Sequence, residues 1–455
     1  MLVDTLLRIP VVLLQVVDHP SPETCLDQLL AVRDQAPFSL AVRFVHCQYY
    51  LPGEPELPLL ALFWRETGGG PVYAAVGKKT EPGEGEDAWQ LAERLQLPVF
   101  DLGAPLPLQP VSVPKPWGRE IWYSGIEQRG QSGVGELGRQ VPLPWLLAAL
   151  PRRFAAGDER GINLLKILDP LPDEVYGDLY FEMHEEKREI YIVTRVDPRA
   201  WPDGRGAIRF GFNQRRRREM GPDESFLAAY RKAVVEYRLV REDVDHRFDI
   251  LREREGYDAN EPLPAELLKA WADQLPRELH EEEERLRTAM DSFTALRPLE
   301  VGDVISVPTY TPHSLQHGVR TVEFQTPVYE RKILSFAQKV LTQGHWDTEE
   351  ALAKVQLDTP EQAPFLELES DDHFVRERIV DFADFTVDRI RFFAPGDYHL
   401  DGGKSYLIAM VVGGELKLGG IPAEAETAWL LASGVAMDVV SAVAGAALLV
   451  AEPKR

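Results

Sequence analysis

Two spacings of hydrophobic residues recur along the chain. Where apolar and polar residues alternate, the spacing predicts strands; where apolar residues return every three or four positions, it predicts helices. On this reading residues 1–110 form a small α/β domain. Strands are predicted over residues 9–17, 40–48, 57–64, 71–76 and 98–102. Helices are predicted over residues 22–35, spaced by Leu26, Leu29, Leu30 and Val32, and over residues 86–95. Gly68, Gly69 and Gly70 lack the Lys-Ser/Thr of a phosphate-binding loop and read as a hairpin turn. The proline-rich residues 105–114 predict a linker. Residues 215–297 are highly charged with helical spacing, and Phe226, Tyr230, Val234 and Tyr237 keep an apolar stripe. Within them Arg215 to Arg218 read as an exposed helix start rather than an anion site. Residues 374–452 read as many short strands separated by glycine turns.

Composition narrows the partners. A chain of 455 residues exceeds one core, so about two to four domains are expected. The formal net charge of −23 argues against a nucleic-acid backbone or an anionic membrane as partner. Cys25 and Cys47 give no disulfide framework, so the cytoplasm is the expected compartment. Asp4 and Arg8 interrupt the apolar residues 2–17, so a signal peptide is not expected. Residues 429–451 are apolar and long enough to span a bilayer. Asp438, Gly434 and Gly445 divide that run into strand-length pieces, so buried strands are expected there.

The chemistry concentrates in residues 180–193, which read as a strand, a tight turn and a second strand. Alternation puts Glu182 and His184 on one face of the first strand, and the second brings Glu189 back beside them. One imidazole and two carboxylates suit zinc or a similar divalent ion. A fourth ligand is expected from residues 302–313: a Gly302-Asp303 turn, a buried strand over residues 304–307 and a stiff loop delivering His313. Taken singly, His184 or His313 reads as a satisfied histidine and Glu182 as a solvent-facing strand residue.

Together the two segments resemble the paired motifs of the cupin family. His184 and Glu189 keep the first motif's spacing, with Glu182 where its first histidine stands and Gly177 one residue closer than usual. Gly302, Pro308 and His313 keep the second, with Tyr310 in place of its inner glycine. Further segments narrow the resemblance to type I mannose-6-phosphate isomerases over roughly residues 115–452. Lys115-Pro-Trp-Gly118 is similar to their opening segment, and residues 162–169 to the strand before the first metal segment. Glu182-Met-His184 and Lys187-Arg-Glu189 match Gln-x-His and Lys-x-Glu with the intervening loop removed. Thr311-Pro-His313 and Glu323-Phe-Gln325 match the segments that follow.

The resemblance implies a mainly β fold: two cupin (jelly-roll) barrels with a helical insertion near residues 215–297, preceded by the α/β domain. The metal-binding barrel would span residues 111–345 and a metal-free one residues 346–455. It implies a metal-dependent aldose–ketose isomerase that converts a sugar phosphate, of the mannose 6-phosphate/fructose 6-phosphate kind, through an enediol. Zn2+, or Mn2+ or Fe2+, would be held by Glu182, His184, Glu189 and His313. Lys187 and Arg331 are the catalytic candidates; Lys166, Lys332 and Trp117 are the substrate contacts. Three of them have a plainer alternative: Lys166 as a strand-edge lysine, Trp117 as a packing anchor, Arg331 as a surface ion pair. The family's phosphate-binding Gly-Glu-Ser-Trp segment is not recognisable. Two other readings follow: a non-catalytic cupin that binds a sugar or metabolite, and an iron oxygenase with two histidines and a carboxylate.

Overall fold

The structure, a computed structural model, describes residues 13–33, 35–158 and 160–454. The chain divides into two compact units. One extends to Val111 and includes Trp122–Leu164 and the chain from Phe365 on; the other comprises Ser112–Ile121 and Leu165–Pro364. Residues 122–164 thus belong with the two ends of the chain.

The first unit opens with a five-stranded sheet ordered Gln15–Asp18, Phe38–Cys47, Glu56–Arg65, Tyr73–Lys78, Phe100–Asp101. Its first pair is parallel, since helix Pro22–Arg33 lies between the two strands in sequence. Of the predicted first strand, residues 9–12 lie outside the described residues. Helix Ala88–Arg94 starts at a capping box, in which the Asp87 side chain accepts from the Gln90 N–H and the Gln90 side chain accepts from the Asp87 N–H. It packs Ala88, Leu91 and Ala92 on Leu60, Leu62 and Ala75. Residues 66–72 form the loop between two antiparallel strands, as the three glycines predict.

The same unit holds a β sandwich. Its nine-stranded sheet runs Arg139–Pro142, Gly133–Glu136, Leu106–Gln109, Ala428–Leu431, Leu407–Gly413, Ala447–Pro453, Phe385–Phe392, Phe374–Asp381, Leu366–Ser370. Strands Gly396–Leu400, Met437–Ser441, Glu415–Leu418 and Ile421–Glu424 form the second sheet. Residues of both sheets, among them Ile390, Ala409, Leu448, Leu418 and Val439, share one core. The apolar run 429–451 is divided among three strands, as expected. Among the described residues no helix is long and apolar enough to cross a membrane.

The linker expected at residues 105–114 is corrected. Leu106–Gln109 and Val111–Lys115 are strands. Leu106 and Leu108 point inward between prolines, and the ladder pairs Leu108 with Ala428 and Val134. Alternation of the leucines outweighed the prolines.

The second unit is also a sandwich. A six-stranded sheet runs Val304–Val307, Glu189–Val196, Val319–Gln325, Leu164–Pro170, Gly118–Trp122, Val111–Lys115. A five-stranded sheet runs Thr294–Leu299, Gly206–Phe212, His313–Leu315, Phe181–Met183, Lys332–Ser335. Tyr191, Val193, Ile305 and Leu168 of the first sheet meet Ile208, Phe210, Leu315 and Ile333 of the second. Helices Gln214–Met220, Asp223–Glu255, Ala265–Ala272 and Arg277–Asp291 form the inserted lobe. Phe226, Tyr230, Val234 and Tyr237 bury against Phe181, Met183, Phe212 and Leu334, on the other side of the five-stranded sheet. Arg215 to Arg218 sit at the helix start, with Arg217 paired to Asp223 and Asp358.

Two glycines of the motifs are required by close approach. A Cβ at Gly118, whose φ is 141°, would lie 2.4 Å from the Asp169 carbonyl oxygen. One at Gly177 would lie 1.9 Å from that of Leu171.

Candidate metal centre

The predicted hairpin is corrected. Phe181–Met183 lies in the five-stranded sheet and Glu189–Val196 in the six-stranded sheet, so residues 184–188 cross between sheets. Polar turn residues suit a reversal within one sheet and a sheet-to-sheet crossing equally well, because neither needs apolar side chains. The ligand candidates still converge, now from both walls of the sandwich. Phe181 and Met183 bury in the helical lobe, and alternation turns Glu182 inward. Glu182 stands directly opposite His313 on the neighbouring strand. Across the interior Glu189 is inward, with Tyr191 two residues on and Glu323 opposite Tyr191.

Glu182, His184 and His313 each offer a ligand atom within 4.8 Å of the other two, the one such cluster among the described residues. Glu189 joins them: its Oε1 is 3.4 Å from His184 Nε2 and its Oε2 is 3.0 Å from His313 Nε2. All are buried except Glu182, whose side chain keeps 18% of its exposure.

Three observations fit this group to a divalent cation. His184 Nδ1 and Glu182 Oε2 are buried without a hydrogen-bond partner, which costs about 1–3 kcal/mol each unless something binds them, and His184 Nε2 has only the Glu189 carboxylate at 3.4 Å. His313 Nδ1 donates to the Thr311 carbonyl at 3.0 Å, so in the neutral ring Nε2 presents a lone pair. That lone pair faces the Glu189 carboxylate, while the Tyr191 hydroxyl donates to the same carboxylate at 2.6 Å. Two acceptors pointed at each other call for a cation. Finally, Glu120, Glu182, Glu189, Glu323 and Glu330 surround the site with only Lys115, Lys166 and Lys187 among them. Carboxylates thus outnumber the cations around the site, a balance that suits a cation.

The electrostatics follow from burial. Burial drives the His184 ring down to about 4, with Lys187 adding to it, so the imidazole is neutral and ligand-competent at neutral pH. Burial works to raise Glu189, but Lys187 and the imidazoles outweigh it and hold the carboxylate well below its usual range. Glu323 is pushed well above that range by burial and by Glu189 beside it. Burial opposes the Lys166 charge, yet Glu120 and Glu323 hold its ammonium raised. Lys187 Nζ lies 2.5 Å from Glu189 Oε1.

The other predicted residues divide. Lys166 and Lys187 are in the cluster. Trp117 is buried in the apolar core with Leu168 and Tyr180, the packing alternative. Arg331 stacks its guanidinium 4.5 Å from the Tyr180 ring and hydrogen-bonds Thr342. Lys332 is not brought in: it pairs at 2.5 Å with the exposed Glu350. Sequence reasoning missed Tyr191, Glu323 and Glu330 as site residues. Alternation from Glu189 marks Tyr191. Nothing local marks Glu330, whose carboxylate lies 3.8 Å from His184 Nδ1. Tyr310, in place of the motif glycine, adopts the left-handed φ of 63° that a glycine favours, and its N–H donates to the His184 carbonyl at 2.7 Å.

No family model matches the sequence, and no curated protein matches it. Solved structures do. The mannose 6-phosphate isomerase of Bacillus subtilis covers 77% of this chain and 99% of its own, with a TM-score of 0.52 at 14% identity. A mutant phosphomannose isomerase of Salmonella typhimurium covers 77% and 100% with a TM-score of 0.49 at 12% identity. A protein of Archaeoglobus fulgidus described as a putative mannosephosphate isomerase covers 78% and 100%, with 0.45 at 12%. At such identity the likeness is one of fold. The chain has a mainly β, cupin-type fold shared with the Bacillus subtilis isomerase.

Proposed function

We propose that this chain is a metal-dependent aldose–ketose isomerase acting on a sugar phosphate of the mannose 6-phosphate/fructose 6-phosphate kind through an enediol. One observation carries the reading: Glu182, His184 and His313 converge, with Glu189 against both histidines, and buried nitrogen and oxygen atoms are left unsatisfied. When bound there, zinc or another divalent ion supplies Lewis-acid polarisation of a substrate carbonyl and hydroxyl. Tyr191 orients the Glu189 carboxylate, and the Thr311 carbonyl sets the His313 tautomer. Lys187, paired with Glu189, is the side chain proposed to serve as the acid. Glu330, pushed up by burial and lying at the more open edge, is the carboxyl proposed to carry the proton between adjacent carbons. Lys166 balances Glu120 and Glu323 and positions the wall. Arg331 is the cation proposed to meet the phosphate at the rim.

One observation favours a second reading, a non-catalytic sugar- or metabolite-binding protein. Lys115, Lys166 and Lys187 are each already paired with a carboxylate, which leaves the phosphate to the rim. Incubating zinc-reconstituted protein with fructose 6-phosphate in deuterated water separates the two. Mannose 6-phosphate with deuterium at C2, absent with His313→Ala, is the expected result. No conversion and no exchange under metal saturation overturns the isomerase and leaves the binding protein.

A further inference from the structure

The sandwich of the first unit has a second concentration of charge. On the nine-stranded sheet, the face that carries the apolar core turns polar at one end. Arg378 stands opposite Asp388, Asp388 opposite Val450, and Thr386 opposite Glu452, so these side chains share that face across three strands. Beside Arg378, Arg376 completes the row. A sandwich interior is ordinarily apolar, and charges on its inward positions are costly unless they are paired and hydrogen-bonded.

These residues line a cavity of about 760 Å³, within the size range of metabolite pockets. Its floor is Arg376, Arg378 and Asp388, and Lys404 and Lys454 stand at its rim. Asp388 is 4% exposed and is gripped by both arginines. Arg376 places Nε and Nη2 on it and gives Nη1 to the Tyr398 hydroxyl at 2.8 Å. Arg378 uses Nε and Nη2. One carboxylate therefore holds two guanidinium groups in place, with one positive charge left over. The Lys404 backbone N–H is donated to Glu452, and its ammonium has no ion pair among the described residues. In a chain of net charge −23, the lining brings Arg376, Arg378, Lys404 and Lys454 together with Asp388, Asp401 and Glu452, and Lys454 is paired with Asp381.

We propose that this cavity binds a small oxyanion, a phosphate ester or carboxylate metabolite, at a site separate from the metal centre. Arg378 keeps Nη1 outside its bonds to Asp388 and offers that charged donor to such a group. Lys404 adds a free charge, and Leu400, Leu407 and Val450 form an apolar wall for the ligand's body.

Isothermal titration of the intact, metal-loaded protein with inorganic phosphate, glycerol 1-phosphate and succinate tests it. At least one probe is expected to bind in the sub-millimolar range and equally well to His313→Ala. Arg378→Gln is expected to weaken it about tenfold. Lys404→Gln, on an exposed loop where the fold is indifferent to the change, is expected to weaken it about fivefold. Binding that is lost in His313→Ala, or unchanged in Lys404→Gln and in folded Arg378→Gln, overturns the proposal. So does the absence of binding by all three probes.

Discussion

The two sandwiches solve the same packing problem differently. In the first unit the inner faces meet through Ile390, Ala409, Leu418, Val439 and Leu448, each fully buried, and charge is confined to one end. In the second unit the interior mixes Tyr191, Val193 and Ile305 with buried Glu189, Glu323, Lys166, His184 and His313. An apolar interior is stable by itself. A charged one is stable only while every member has its partner, so it points to a ligand or a reaction. The architecture is common to both; the inward positions alone distinguish a structural core from a reactive one.

That contrast can be broken first at Lys166. Lys166→Met takes from buried Glu323 the ammonium 3.3 Å away, while Glu120 keeps Lys115, and a loss of about 3–5 kcal/mol is expected in chemical denaturation. A loss within about 1 kcal/mol would show that the network is not energetically coupled. Leu448→Ala, in the other core, is expected to cost about 2–4 kcal/mol by cavity formation, equally with and without zinc. A zinc-dependent difference would tie that core to the metal centre.

In the metal-free protein His184 adds a pH dependence. Its folded pKa of about 4 lies below its unfolded value of 6.5, so the folded state binds fewer protons between the two. Its contribution is complete above 6.5 and is lost as pH falls through 4, about 3 kcal/mol in all. The stability gap between wild type and His184→Gln should therefore change across that window and stay flat above it. Tyr310→Gly, relieving a left-handed backbone, is expected to stabilise by up to about 1 kcal/mol in thermal unfolding. The smallest effect belongs to Lys332→Met, whose partner Glu350 is exposed: a change within about 0.5 kcal/mol. A large loss of turnover there would instead return Lys332 to the site.

The sequence by itself determined the elements and most of the ligand candidates. Alternation placed Val304–Val307 and the strands of the C-terminal run, helical spacing placed the inserted lobe, and motif spacing singled out Glu182, His184, Glu189 and His313. These signals are local, because the period of apolar residues and the distance between ligands are written along one stretch of chain. Only the tertiary structure decided that residues 184–188 cross between sheets, that residues 106–115 are strands, and that Glu323 and Glu330 join the centre while Lys332 turns away. Strand partners are set by pairing among distant segments, and a side chain's charge state by what burial brings beside it. Neither has a local signature, since both depend on which face of which sheet a residue finally meets.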